Sequence, residues 1–231
     1  MTRAKTSEIL IQVINLARRS DRLEIMRVQL ERAGLVFETQ VAVNGEKDGF
    51  KSSFLSKGEI GCWKSHVNSM RKMAEEGYQY SLILEDDATL GFKVDGTFLS
   101  EMMDLMRRNR IDLLQIGYIE HFYAPSIRSG VLEFLIAFLN NRGTKDTSGL
   151  RFVLGEFRAG AHAYIVNARL AEAISETVPV PPLIPWDGYL ESLARGQIGR
   201  GDIRIARLGK SLVSQASRLA KNQQVDSDIS T

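Results

Sequence analysis

Three acidic residues stand side by side directly after the apolar run 81–84. Adjacent carboxylates repel one another, and binding a divalent cation between them makes the arrangement favourable. Oxygen ligands suit Mg²⁺ and Mn²⁺, which often keep coordination positions open for phosphate oxygens. Glu85, Asp86 and Asp87 therefore indicate a metal site for a phosphorylated ligand. The residues alone leave equally open a solvated acidic loop, with or without a cap on the next helix.

Basic side chains that suit a phosphorylated ligand follow another apolar run, residues 9–14. They are Arg18, Arg19 and Arg22. A guanidinium fork matches the geometry of phosphate oxygens, so these residues are candidates for anion binding. A solvated basic face is the simpler interpretation for at least one of them.

The candidate residues depend on a regular alternation of strand and helix patterns. Apolar runs and helical spacing predict strand 9–14, helix 21–33, strand 37–43, helix 56–76, strand 81–84, a helix through 98–106, and strands 112–116 and 161–166. This alternation predicts an α/β fold with a mostly parallel, Rossmann-like sheet and helices on both faces. Such sheets bind ligands beyond the C-terminal ends of their strands, where the three acids would lie.

Capping signals predict where two helices begin. Ser20 or Asp21 is expected to cap the helix 21–33. Ser56 and Glu59 have the spacing of a capping box before the second helix. Glycines are expected to end the two helices, at Gly34 and Gly77.

Composition indicates one soluble domain. The 231 residues are 44% apolar and 25% charged, and the formal charge of +2 is too small to indicate nucleic acid binding. Cys62 is the only cysteine, which favours a reducing compartment. The N-terminus lacks an apolar signal core, and no run approaches the roughly 20 apolar residues of a membrane span. Residues 131–139 form either a core helix, which their length favours, or a surface that touches lipid or a partner.

We expect a single domain over residues 1–220, followed by a polar segment at 221–231. Residues 118–158 do not follow the strand and helix rhythm, so they are expected to form an irregular lid or acceptor-binding region. The composition of 221–231 predicts a frayed end.

Short motifs occur in a fixed order along nearly the whole chain. They are NLARRSDR (15–22), AVNG (42–45), GEIGCWKSH (58–66), LEDD (84–87), AHAYIV (161–166), PWD (185–187), LVSQ (212–215) and SDI (227–229). Through them the chain resembles glycosyltransferase family 25, the lipooligosaccharide galactosyltransferase type related to the collagen galactosyltransferases. Each motif alone is a weak signal, but five of them in the family's order are a specific one. The last motif implies that the 221–231 segment closes over the donor.

The resemblance implies a GT-A-like fold and an inverting glycosyltransferase that uses Mn²⁺ or Mg²⁺. The implied donor is a UDP-sugar, most often UDP-galactose, and the acceptor is a saccharide of lipooligosaccharide or lipopolysaccharide. A cytoplasmic location, with peripheral contact to the inner membrane, would suit such a glycolipid acceptor. Glu85 and Asp87 are implied as metal ligands and Asp187 as the catalytic base. The implied donor-binding residues are Asn15, Arg18, Arg22, Asn44, Glu59, His66, Asp86 and Gln215.

Some of these residues have equally ordinary structural interpretations. An aspartate ahead of a helix is often an N-cap, so Asp187 is a cap or a base with equal weight. From its position alone, His66 would be interpreted as a structural residue. The GEIGCWKSH motif instead favours a role in donor binding. Cys62 is expected to be a small core residue rather than a nucleophile. Ala17 and Asn44 stand where the family often carries acids.

Two other functions use the same features. A non-catalytic module that binds a nucleotide sugar or glycan is compatible with the altered residues Ala17 and Asn44. A metal-dependent phosphohydrolase could use the three acids, but the sequence carries no recognisable nucleophile motif, which disfavours it.

Overall fold

The computed structural model describes residues 8–46, 54–91, 93–119, 144–145, 150–177, 183–196, 198 and 202–215. Its strands are β1 (Ile9–Asn15), β2 (Glu38–Val41), β3 (Tyr80–Glu85), β4 (Ala88–Leu90), β5 (Leu113–Gly117), β6 (Thr144–Lys145), β7 (Arg151–Leu154), β8 (Ala163–Asn167), β9 (Ile205–Leu208) and β10 (Val213–Gln215). Its helices are α1 (Ser20–Arg32), α2 (Lys57–Glu76), α3 (Gly96–Asn109), α4 (Ala168–Thr177) and α5 (Trp186–Ala194).

All ten strands belong to one mixed sheet. Its main order is β2-β1-β3-β8-β5-β9-β7-β6, and β10 pairs with both β4 and β5. The pairings give seven strands in one direction (β1, β2, β3, β5, β6, β9, β10) and three in the other (β4, β7, β8). The predicted mostly parallel α/β sheet is thus confirmed. The antiparallel insertion of β8 between β3 and β5 was not predicted.

Helices cover both faces of this sheet, as predicted. Along β3, Leu82 and Leu84 face the core cluster that includes α1 and α3, whereas Ile83 faces the cluster of α2, α4 and α5. Because both faces are buried, the strand is a continuous apolar run rather than an alternating one. Side chains alternate along a strand, so Glu85 continues on the α2 face.

Two helix ends test the predicted caps. The N-cap of α1 is Arg19, with no side-chain cap hydrogen bond, so the predicted capping by Ser20 or Asp21 is wrong. Asp21 instead pairs with Arg19 at 3.0 Å. The capping box of α2 is confirmed: Ser56 Oγ accepts from the Glu59 N–H at 3.2 Å, and Glu59 Oε2 accepts from the Ser56 N–H at 2.7 Å. Glycines with positive φ follow both helices, Gly34 at +68° and Gly77 at +69°.

The region 118–158, predicted to be irregular, contains regular structure in its described part. Residues Arg151–Leu154 form β7, which pairs antiparallel with β9. Strands β4, β9 and β10 and helix α4 were also not predicted. The segments 131–139 and 221–231 lie outside the described residues. Within the described ranges, no helix has the length and apolar character required to cross a membrane.

Candidate active site

A cleft lies at the carboxyl ends of β1 and β3. Their parallel pairing sets Ile14 beside Glu85, so the next residues, Asn15 and Asp86, come together just past the strands. Glu85, Asp86 and Asp87 all line the cleft, as predicted from their place at a strand end. The loop after β2 and the start of α2 contribute the opposite wall.

Glu85 faces α2. One of its carboxylate oxygens, Oε1, lies 3.2 Å from His66 Nε2 and 3.9 Å from Cys62 Sγ. Burial raises the pKa of Glu85, but the hydrogen bond to His66 and the electrostatic effect of that side chain oppose burial and leave the pKa below its ordinary value. Glu85 therefore carries a negative charge at neutral pH.

Asp86 faces β1 and α1. Its Oδ2 accepts a hydrogen bond from Asn15 Nδ2 at 2.8 Å, and its Oδ1 lies 3.2 Å from Arg22 Nη1. Burial raises the pKa of Asp86, although Arg22 and Asn15 favour the charged form. Asn15 and Arg22 thus orient Asp86 at the cleft, which Arg22 also lines. Their predicted contacts with the donor stay predictions.

Asp87 contacts the last described strand. Its Oδ2 accepts a hydrogen bond from Gln215 Nε2 at 3.0 Å, and its side chain is 9% exposed. Burial, followed by the negative charge of Glu85, raises the pKa of Asp87 to about 7. The three adjacent acids are thus separated into three environments that still share one cleft.

The chemistry of these acids fits a divalent cation. The charge of Glu85 opposes ionisation of Asp87, and a cation between them would remove that repulsion. Glu85 and Asp87 supply the oxygen ligands that Mn²⁺ or Mg²⁺ prefers. The described residues also include a cluster whose ligand atoms lie within 4.8 Å of one another, formed by Cys62, His66 and Glu85.

His66 lies at the floor of the cleft and is fully buried. Its Nδ1 is 2.9 Å from Tyr164 Oη, and its ring stacks on Trp186 with centroids 5.3 Å apart and an 8° angle between planes. These contacts fix the ring so that Nε2 faces Glu85. The predicted role in donor binding is compatible with this position and stays a prediction.

Asp187, the predicted base, is the second residue of α5. The N-cap of this helix is Pro185, so Asp187 is not the N-cap. Its Oδ1 accepts from the Gly188 N–H at 2.9 Å, and its Oδ2 accepts from the Gly160 N–H at 3.4 Å. Its charge helps to raise the pKa of the Cys62 thiol, and Asp187 is not among the residues found to line the cleft.

The thiol of Cys62 is not an activated nucleophile. Burial raises its pKa well above the ordinary value, and the carboxylates of Glu85 and Asp187 raise it further. A thiol held protonated in this way reacts only slowly at neutral pH, which agrees with the prediction of a structural cysteine.

The remaining predicted donor-binding residues occupy different positions. Arg18 is exposed and lines the cleft. Asn44 also lines it, while its Oδ1 accepts from the Glu46 N–H at 3.1 Å. Glu59 is used in the capping box of α2 and is not among the residues found to line the cleft. Gln215 reaches the cleft through Asp87.

The predictions did not include Lys57, which begins α2 and lines the cleft. In the cleft wall beside Lys57, the loop after β2 and helix α2 approach each other closely at two glycines. A Cβ on Gly45 would lie 1.7 Å from the Lys57 carbonyl oxygen, and one on Gly61 would lie 2.6 Å from the Val43 carbonyl oxygen. Ser65 Oγ closes the contact by accepting from the Val43 N–H at 2.8 Å. The capping box that locates the start of α2 could have indicated Lys57 from sequence.

Comparison with known proteins gives one family and several relatives. The model of the family described as glycosyltransferase family 25 (LPS biosynthesis protein) matches residues 9–188. Procollagen galactosyltransferase 1 of Danio rerio is 26% identical over 197 residues, covering 77% of this chain and 30% of the relative. Procollagen galactosyltransferase 2 of Homo sapiens is 25% identical over 198 residues, covering 78% of this chain and 29% of the relative. The chain thus spans less than a third of the length of these relatives.

Solved structures show only distant similarity. A glycosyltransferase involved in the glycosylation of the major capsid of PBCV-1 superposes with a TM-score of 0.49 and 9% identity, covering 94% of each chain. A197 from STIV superposes with a TM-score of 0.46 and 10% identity, covering 89% of this chain and 82% of that one.

Proposed function

The chain belongs to glycosyltransferase family 25, and from this we propose that it transfers galactose from UDP-galactose to a saccharide acceptor in a metal-dependent, inverting reaction. The observation that carries the proposal is the acidic cluster at the end of β3. Glu85 and Asp87 line one cleft, where burial, followed by the negative charge of Glu85, raises the pKa of Asp87 to about 7. A cation at this position would relieve the repulsion and face the phosphates of a nucleotide sugar.

The charged residues of the cleft are best suited to assist departure of the nucleotide. The leaving group is a diphosphate whose negative charge grows as the glycosidic bond breaks. Mn²⁺ or Mg²⁺ held by Glu85 and Asp87 would neutralise this charge. Arg18 and Lys57 line the same cleft and carry the positive charges that phosphate oxygens attract.

Asp86 is suited to bind hydroxyl groups of the donor. Asn15 and Arg22 hold its carboxylate from one side at 2.8 and 3.2 Å. A carboxylate has about four lone-pair positions, so these bonds leave capacity for a ribose or sugar hydroxyl. A side chain fixed in this way loses little conformational entropy when the donor binds.

Asp187 is our proposed base. An inverting transfer requires a group that accepts the proton of the attacking hydroxyl on the side opposite the leaving group. Asp187 Oδ2 has a long 3.4 Å contact to the Gly160 N–H, near the limit of a hydrogen bond, and therefore keeps capacity to accept a stronger one. Asp187 is half-buried, and its charge acts on the thiol of Cys62, which lines the cleft.

The acceptor is the least constrained part of the proposal. The family description names LPS biosynthesis, and the relatives are named for procollagen. We retain a lipooligosaccharide or lipopolysaccharide saccharide as acceptor, with a cytoplasmic location and peripheral inner-membrane contact as predictions.

A transfer assay tests the proposal. Purified protein is incubated with UDP-galactose, Mn²⁺ and a panel of saccharides that includes lipooligosaccharide cores and collagen-type acceptors. A galactosylated product that disappears when Mn²⁺ is chelated is expected. Binding of UDP-galactose without any product would support the non-catalytic module instead, and release of phosphate without transfer would support a phosphohydrolase.

A further inference from the structure

Cys62, His66 and Glu85 form a compact group of unlike ligands. Cys62 and His66 are four residues apart on α2, so their side chains lie on the same face of the helix. Glu85 reaches that face from the end of β3. Its Oε1 is 3.2 Å from His66 Nε2 and 3.9 Å from Cys62 Sγ, and all three ligand atoms lie within 4.8 Å of one another.

These separations approach those of a tetrahedral zinc site. Zinc bonds of about 2.0 to 2.3 Å place neighbouring ligand atoms roughly 3.3 to 3.6 Å apart. Small side-chain rotations would therefore bring the three atoms around one ion. All three residues line the cleft, so water could occupy the fourth position.

We propose that Cys62, His66 and Glu85 form a second metal site, selective for a thiolate-binding cation such as Zn²⁺. This site is distinct from the oxygen-ligand pair of Glu85 and Asp87, although the two share one carboxylate. Thiolate and imidazole ligands favour Zn²⁺ or Co²⁺, whereas Mg²⁺ requires oxygen ligands. The same cleft would thus discriminate between two classes of cation.

The surroundings of His66 support this assignment. When Nε2 binds a metal, Nδ1 carries the proton and can donate it to Tyr164 Oη, which lies 2.9 Å away. Metal-binding histidines in proteins usually have such a partner for the other ring nitrogen. The stacked ring of Trp186 fixes the imidazole plane. His66 therefore needs no reorientation to act as a ligand.

Charge balance also favours a cation. As the metal–sulfur bond forms, the Cys62 thiol releases its proton to solvent and becomes a thiolate. Thiolate and the Glu85 carboxylate then neutralise the two charges of Zn²⁺. The carboxylates of Asp87 and Asp187 lie near enough to Cys62 to affect it electrostatically, so the local potential attracts cations.

Occupation of this site would inhibit transfer. Glu85 cannot serve both ions fully, so a thiolate-bound metal would withdraw it from Asp87. This consequence rests on the proposed function, whereas metal binding itself does not. The site would make the enzyme sensitive to Zn²⁺ in the presence of Mn²⁺.

Spectroscopy with Co²⁺ tests the site independently of catalysis. Cys62 is the only cysteine of the chain, so a thiolate-to-cobalt charge-transfer absorption can come only from this residue. Titrating metal-free, full-length protein with Co²⁺ is expected to give such a band, saturating at one ion per chain. Zn²⁺ should abolish the band by displacement, and excess Mg²⁺ should not.

Variants establish which residues are ligands. Cys62→Ser should eliminate the band, and His66→Gln should weaken Co²⁺ binding at least about tenfold, since even the loss of an outer contact has that effect. Asp87→Asn is the matched control and should retain the band with far less change in affinity. Circular dichroism would verify that each variant is folded. If His66→Gln does not fold, protection of wild-type Cys62 from a thiol reagent by Zn²⁺ but not Mg²⁺ replaces it.

The absence of a charge-transfer band in wild-type protein would overturn the proposal. An unchanged Co²⁺ affinity in folded His66→Gln would also overturn it, as would equal protection of Cys62 by Zn²⁺ and Mg²⁺. A band without any transfer activity would leave the metal site standing and contradict the proposed function, so the two failures are distinguishable.

Discussion

Acidic side chains are buried at both ends of the central sheet, but their hydrogen-bond partners and neighbouring charges differ. At the amino end of β5, Asp112 is 3% exposed and accepts hydrogen bonds from Asn167 Nδ2 at 2.9 Å, Arg169 Nε at 2.9 Å and the Arg204 N–H at 2.8 Å. At the carboxyl end of β3, Asp87 accepts from the neutral amide of Gln215 and lies beside two further acids.

The difference lies in how far the protein itself compensates the burial of each acid. Positive charge and donors surround Asp112, so its burial is compensated within the protein and it joins β5, β8 and β9. Burial and the charge of Glu85 raise the pKa of Asp87 to about 7. Perturbation of this kind, in a cleft, is typical of a site that is completed by a ligand. The comparison predicts opposite responses when either acid is changed.

The largest effect is expected for Asp87→Asn. Loss of one oxygen ligand should lower kcat roughly 10³- to 10⁴-fold, because metal stabilisation of a leaving group contributes several kcal/mol. The melting temperature should stay the same or rise, since one of the repelling charges is gone. Transfer assays and thermal unfolding measure the two quantities. Normal activity would show that Asp87 does not hold the metal.

Asp187→Asn should have the next largest effect. If Asp187 accepts the acceptor proton, kcat should fall about 10²- to 10³-fold, within the range that general bases contribute. The proposed donor contacts involve other residues, so the Kd for UDP-galactose, measured calorimetrically, should be unchanged. An equal loss of donor binding would instead assign Asp187 to the donor pocket.

Asp112→Ala tests the acid at the amino end of β5. In contrast to Asp87→Asn, it should lower stability and leave activity unchanged. Removing this carboxylate leaves the Arg204 N–H and Asn167 Nδ2 without their acceptor, at a cost of about 3 kcal/mol in unfolding free energy. Activity per folded molecule should remain normal. Denaturant titration, followed by assays on the folded fraction, measures both. A stable but inactive variant would remove the distinction between the two ends.

The two ends also differ in how far the sequence alone could predict them. The acids 85–87 follow a continuous apolar run, so their place at the carboxyl end of a buried strand was predictable. Asp112 carries no such signal, because its partners are supplied by residues 55 to 92 positions later in the chain. Pairings of that kind depend on β8 entering the sheet antiparallel, which strand patterns do not encode.

The sequence alone predicted a contact correctly where both partners lie within a few residues of each other. The α2 capping box is an interaction over three residues, so sequence was enough to find it. The predicted α1 cap was wrong because the Asp21 side chain pairs with Arg19 at 3.0 Å and no side chain caps the helix. The different partners of the three acids were unpredictable from sequence, since those partners lie on β1, α1, α2 and β10.

Gly45→Ala examines the wall of the carboxyl-end cleft. Its new Cβ would lie 1.7 Å from the Lys57 carbonyl oxygen, so loop and helix must separate, which should cost about 2 kcal/mol of stability. The donor KM should rise because Lys57 moves. Gly96→Ala is the matched control: a Cβ there meets nothing within 4 Å, so stability and KM should both be retained. A similar loss in both variants would mean that packing at Gly45 is not the cause.

The smallest effect should come from the N-caps of two helices, α2 at the cleft and α3 away from it. Ser56→Ala removes the Oγ that accepts from the Glu59 N–H, and Asp95→Ala removes the Oδ1 that accepts from the Phe98 N–H at 2.8 Å. Each should cost about 1 kcal/mol of unfolding free energy. Ser56→Ala alone should also raise the donor KM, because it loosens the helix turn that carries Lys57. Equal KM values in the two variants would show that the start of α2 serves stability alone, as Asp112 does at the other end of the sheet.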